Sequence, residues 1–164
     1  MPVPLPPILS FKPDAGCSVD SPPVVIVLQE WWGVNEQIKI HAQKIADITG
    51  AEAIIPDLYK GKIGLDAEEA SHLMNNLDFK NAVDEIEALC DSLRKDDANR
   101  KIAVLGFCMG GALTLASAAL LENPLVAAVV FYGIPPEALC DVSYVLCKRN
   151  YEEYHLCVLT HYFI

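Results

Sequence analysis

The sequence contains no apolar run approaching the roughly 20 residues needed to cross a bilayer. Its longest, such as Leu125 to Tyr132, stop far short of that length. Its first residues, Met1-Pro-Val-Pro-Leu-Pro-Pro7, carry no basic segment, and their prolines would interrupt the apolar stretch of a signal peptide. Basic side chains are scarce: 12 Lys and Arg stand against 22 Asp and Glu, a formal net charge of −10. That balance repels nucleic acid and anionic membrane alike. The cysteines at 17, 90, 108, 140, 147 and 157 form no C-x-x-C pair, so thiols in a reducing cytoplasm are expected, without disulfides. There is no internal repeat and no low-complexity segment beyond the proline-rich start. These absences leave a cytoplasmic protein that acts on small molecules, with no nucleic-acid or membrane partner.

What is present is a globular composition, 52% hydrophobic and 21% charged over 164 residues, enough for one domain with a genuine core. Val24-Val-Ile-Val-Leu28 reads as a strand buried on both faces. Asn35 is a good N-cap, and Ile38, Ala42, Ile45 and Ile48 follow at helical spacing until Gly50. Ala51 to Ile55 reads as a second strand, and Asp66 with Glu69 as a capping box opening a short helix. Asp78 caps a longer helix with Phe79, Ala82, Val83, Ile86, Leu89, Cys90 and Leu93 on one stripe. Lys101 to Phe107 is a further strand, Met109 to Glu122 a helix, and Leu125 to Tyr132 another all-apolar strand. The alternation predicts an α/β fold with a parallel sheet covered by helices on both faces, binding ligands beyond the carboxyl ends of its strands.

At such an end lies Ile102-Ala-Val-Leu-Gly-Phe-Cys-Met-Gly-Gly-Ala112, where a buried strand runs through a glycine-flanked cysteine into a helix. Gly-x-nucleophile-x-Gly is the pattern of a nucleophile elbow, in which a side chain two residues to either side would collide. Gly106 and Gly110 hold those positions around Cys108. The amides at the start of the following helix favour a thiolate and an anionic intermediate, which predicts a reactive cysteine. The alternative is that the glycines only permit a tight turn, with Cys108 a small buried hydrophobe. The glycine spacing fits neither G-x-G-x-x-G nor a P-loop, since Ala112-Leu113 follow Gly111, so no nucleotide cofactor is expected.

Val27-Leu-Gln-Glu-Trp-Trp-Gly-Val-Asn35, Pro56-Asp-Leu-Tyr59, Gly106-Phe-Cys-Met-Gly-Gly111 and Phe131-Tyr-Gly133 together resemble the dienelactone hydrolases, a family of the α/β-hydrolase fold. The resemblance covers about residues 24 to 136. It implies hydrolysis of a lactone or carboxylic ester through a cysteine acyl-enzyme, using a Cys-His-Asp triad and no cofactor or metal. It makes Cys108 the nucleophile and Glu30 the carboxylate that controls its ionisation. The backbone amides of Trp31 and Met109 become the oxyanion hole. Trp31 and Trp32, at the strand's carboxyl end, read as pocket wall, and Trp32, Tyr59 and Lys60 are candidate substrate contacts. A carboxylate near the thiol raises the cost of a second negative charge, so Glu30 would keep the resting thiol protonated. Without the resemblance, Glu30 reads equally as a solvated strand-end carboxylate. Lys60 and Lys62 would draw in an anionic substrate or merely solubilise the chain. His41 and His72, on predicted helices, read as surface or boundary residues.

After Pro136 the resemblance stops. The expected division is a partial hydrolase-like domain over 1–136 and a divergent tail over 137–164, with the C-terminal strands missing. Asp141, His155 and His161 are of the right types for a triad, but their spacing secures no such geometry. Cys157, His155 and His161 lack zinc-site spacing. Val142 to Leu146 or Leu156 to Thr160 are the segments available to cover the sheet edge left after the Leu125 to Tyr132 strand. Two alternatives to the hydrolase stand: a non-catalytic remnant that binds small molecules or a partner, and a thiol redox sensor without an obvious resolving cysteine.

Overall fold

The computed structural model describes residues 3–16, 21–95, 97–141 and 155–159. Its strands and helices run β1 Ile8–Phe11, β2 Val24–Leu28, α1 Glu36–Thr49, β3 Glu52–Pro56, α2 Ala67–Asn75, α3 Phe79–Leu93, β4 Ile102–Phe107, α4 Met109–Leu120, β5 Ala127–Phe131 and β6 His155–Leu159. They form one six-stranded sheet in the order β1-β3-β2-β4-β5-β6. β2, β3, β4, β5 and β6 are parallel, with Val24 opposite both Glu52 and Ile102, Ala103 opposite Ala127, and Ala127 opposite His155.

The helices begin where the sequence sets them. Asn35, Asp66 and Asp78 each accept a hydrogen bond from the amide three residues on, at 3.1, 2.9 and 3.0 Å, and Gly50 ends α1 in the left-handed region. Two apolar layers sandwich the sheet. One joins α3 and α4 to Ile26, Leu28, Ile102, Val104 and Val130; the other joins α1 to Val27, Ala53 and Ile55.

Three features differ from the expectation. The sheet is mixed, because β1 pairs antiparallel with β3, Ile8 opposite Pro56. This four-residue edge strand sits between prolines, and its alternating exposed and half-buried residues leave little apolar signal. The second feature is coverage. β2 is mostly buried on both faces, whereas β4 and β5 alternate buried and half-buried, so their α1-side residues Leu105, Phe107, Val129 and Phe131 are only partly covered. Finally, β6 continues the parallel sheet beyond β5, and Cys140 is buried in the α3–α4 layer with Leu139 packed against it. Of the two segments proposed to cover that edge, the one beginning at Leu156 supplies most of β6; Val142 to Leu146 lies outside the described residues.

Candidate active site

β4 delivers Phe107 to the carboxyl end of the sheet, and the chain turns at once into α4. Cys108 occupies that turn with φ 54° and ψ −117°, a conformation that L residues rarely hold. The glycines explain how so sharp a turn packs. A Cβ on Gly110 would stand 2.5 Å from the Leu28 carbonyl oxygen and 2.6 Å from that of Gln29, and one on Gly106 would strike the Gly110 carbonyl. The Cys108 amide donates to the Phe131 carbonyl at 3.0 Å, and the Cys108 carbonyl accepts from Ala112 at 3.0 Å in the first turn of α4. The elbow is thereby wedged between β2 and β5.

Three stretches meet it. From the end of β2 comes Glu30, close enough for its charge to act on the Cys108 thiol. Glu30 Oε1 accepts a hydrogen bond from the Tyr132 hydroxyl at 2.7 Å. From the loop after β3 comes Tyr59, buried, its hydroxyl donating to Met109 Sδ at 3.1 Å. Burial, and then the nearby Cys108, hold the Tyr59 hydroxyl above the ordinary tyrosine range. From the end of β5 comes Tyr132 itself, at φ 41°.

The half-buried Cys108 thiol ionises less readily than an ordinary cysteine. Burial is the largest cause; a hydrogen bond from the Met109 amide opposes it, and the Glu30 charge adds to it. The amide at the start of α4 thus acts in the expected direction, but burial outweighs it. Burial thus joins Glu30, the carboxylate expected to oppose ionisation of the thiol, and acts more strongly than it.

The remaining predicted residues fall into two groups. Trp31 packs against the α3–α4 core, and Trp32 meets it edge to face with ring centroids 5.0 Å apart. The Trp32 carbonyl accepts from Gly64 at 3.0 Å, and Gly33 bridges to Ile63, so the loops after β2 and β3 are tied together. Lys60, by contrast, forms an ion pair with the buried Glu85 of α3, which also accepts from Asn81 at 3.0 Å. That pairing ties up the Lys60 charge, while Lys62 and His72 line a separate groove with Ile63 and Leu73.

His41 is a half-buried boundary residue: its ring lies 5.3 Å from that of Phe107, which stacks on Phe131 at 4.5 Å. His155 opens β6 opposite Ala127, at the end of the sheet remote from the elbow. His161 lies outside the described residues, and Asp141 is exposed, beside the buried Cys140. Among the described residues no cluster fit to hold a metal ion forms.

Two contributors were not singled out in the sequence. Gln29, fully buried, accepts from the Leu58 amide at 3.2 Å and so joins the end of β2 to the loop carrying Tyr59. Tyr132 lay inside a recognised motif without a role. Its only signal was its position beside Gly133, in the strand-end triplet after β5.

A strand–elbow–helix with a cysteine at the turn, on a largely parallel sheet flanked by helices, is the arrangement of the α/β-hydrolase fold. Structural likeness agrees on the fold. A dienelactone hydrolase-like promiscuous phosphotriesterase from metagenomic libraries superposes with a TM-score of 0.65 at 23% identity, covering 93% of this chain and 81% of that one. Esterase PE8 superposes with a TM-score of 0.59 at 15% identity, covering 94% and 88%. The sequence model of the dienelactone hydrolase family matches residues 13–146, and the chain belongs to that family.

Among curated relatives, protein usf of Aquifex pyrophilus is 33% identical over 130 residues, 74% of this chain and 55% of its own. A putative carboxymethylenebutenolidase of Yersinia pestis is 38% identical over 142 residues, 76% and 51%. The carboxymethylenebutenolidase of Pseudomonas putida is 31% identical over 134 residues, 73% and 56%. The chain spans about half the length of these relatives.

Proposed function

We propose that the protein hydrolyses a small lactone or carboxylic ester through an acyl-enzyme on Cys108. The observation that carries this reading is the left-handed cysteine at the start of α4, wedged between the ends of β2 and β5, with the Glu30 charge acting on its thiol. The deprotonated sulfur attacks the ester carbonyl, and a C–S bond forms as the carbonyl π pair moves onto oxygen. The amides of Met109 and Trp31 receive that oxyanion. The C–O bond then breaks, the alkoxide takes up a proton, and water cleaves the thioester to return acid and thiol. Trp32 and Tyr59 wall the acyl group, and Glu30 keeps the thiol protonated until substrate arrives. The working place is the cytoplasm, where the thiols at Cys90, Cys108, Cys140 and Cys157 stay free. No described helix is long and apolar enough to span a membrane.

Among the described residues, no histidine hydrogen bond to Cys108 accompanies the elbow: His41 lies against Phe107, His72 lines the groove with Lys62, and His155 begins β6 opposite Ala127. The burial that holds the Cys108 thiol above the ordinary cysteine range supports, as the second reading, a non-catalytic remnant of the family that still binds small molecules or a partner. Turnover of p-nitrophenyl acetate and of a dienelactone, followed by peptide mass spectrometry, separates the two. The hydrolase reading expects an acyl adduct on the Cys108 peptide and loss of turnover in Cys108→Ala. Hydrolysis that survives Cys108→Ala overturns the mechanism, and a thiol that alkylates without any turnover supports the remnant.

A further inference from the structure

The end of β5 and the turn that follows it each touch the elbow. Phe131 accepts the Cys108 amide through its carbonyl, and Gly133 packs so closely on the Cys108 carbonyl that a Cβ there would collide with it. Between them stands Tyr132, held at φ 41°, with its hydroxyl 2.7 Å from Glu30 Oε1 and 102 residues away from it in sequence. A bulky residue persists in that backbone region only where its surroundings over-determine it.

We propose that Tyr132 is a positioning residue: its hydroxyl pins the Glu30 carboxylate beside the Cys108 sulfur, while the turn that carries it fixes the Cys108 backbone. The proposal deepens the hydrolase reading and rests on its pairing of Glu30 with Cys108. Glu30 is only half-buried, and a carboxylate in that position has solvent available as an alternative. A hydrogen bond to an ionised acceptor is about twice as strong as a neutral one, enough to select one side-chain direction. Freed of it, the carboxylate turns to water, where its field at the thiol is screened. Among the described residues, the groups acting on the sulfur are then Glu30 from the stretch after β2, Tyr59 from the loop after β3, and the Met109 amide of α4, with Tyr132 acting through Glu30. Of these, the Glu30 charge opposes ionisation of the thiol and the Met109 amide favours it. Loosening Glu30 therefore makes the thiolate easier to form.

The test is the pH dependence of Cys108 alkylation by iodoacetamide, read on the Cys108 peptide by mass spectrometry, so that hydrolytic activity does not enter. Tyr132→Phe is expected to lower the midpoint by about half a pH unit, which is roughly threefold faster alkylation below it. Glu30→Gln lowers it at least as far, and the double variant goes no lower than Glu30→Gln, the non-additivity of two residues acting as one. Glu30→Asp keeps the charge but draws it from the hydroxyl's reach. It gives a lowering of the same sign without touching the turn, should Tyr132→Phe fold poorly. A wild-type midpoint in Tyr132→Phe or Glu30→Asp overturns the positioning role, as does a double variant whose shift is the full sum of the two singles. A wild-type midpoint in Glu30→Gln overturns the Glu30–Cys108 pairing and the proposal with it.

Discussion

At Cys108 the fold holds an L residue where glycine would be at ease, at φ 54° and ψ −117°. Strain of this kind costs on the order of 1–3 kcal/mol, and position 108 also caps α4, where glycine is preferred to alanine. Cys108→Gly is therefore expected to be more stable than Cys108→Ala by about 1 kcal/mol, the reverse of their order inside a helix. Paired urea titrations of the two variants check it, and equal midpoints would contradict the strain. The elbow was legible because everything that defines it lies within five residues, Gly106 to Gly110. Tyr132 on Glu30, Gln29 on Leu58 and Lys60 on Glu85 were not, since those partners lie 102, 29 and 25 residues apart. A one-dimensional pattern carries no trace of which polar groups will meet. Glu85 is the clearest case: it interrupts the apolar stripe of α3 and is nonetheless buried, because Lys60 and Asn81 reach it.

α4 approaches the sheet so closely that its first turn has no room for a side chain at Gly110. The atoms in the way, the carbonyl oxygens of Leu28 and Gln29, are backbone and cannot step aside. Gly110→Ala is expected to destabilise the protein by about 3 kcal/mol, although alanine is the better helix former by nearly 1 kcal/mol. A thermal or urea midpoint at or above wild type would contradict the close approach. Helices were readable as whole elements, caps included, because Asn35, Asp66 and Asp78 act on amides three residues on. Strands were readable where apolar runs continue, as in β2. β1 was not, because its place is fixed by pairing with β3 and not by its own composition.

For the molecule as a whole, the sheet's two faces differ: α3 and α4 seal one, and α1 only part of the other. Buried in the sealed layer is Cys90, pushed up to about 12, chiefly by burial. The sign follows from proton counting. Above about pH 8.5 an unfolded cysteine releases its proton while the folded Cys90 keeps it, so stability is full below that pH and falls as pH rises toward 12. Cys90 alone contributes a loss of about 1.4 kcal/mol per pH unit across that window. Cys108 and Cys140, also shifted upward, act in the same direction. Urea midpoints at successive pH values from 8 to 11 should decline, and less steeply in Cys90→Ala; parallel slopes would contradict the assignment.

The candidate site draws on the ends of β2, β3, β4 and β5, and its longest hydrogen-bonded link joins residues 30 and 132. Contacts so distant along the chain form late, after the loops between them have closed. The Cys108 thiol, half-buried only once these strands have met, is therefore a clock for assembly: during refolding, its resistance to a pulse of alkylating reagent marks the moment at which strands distant in sequence have come together.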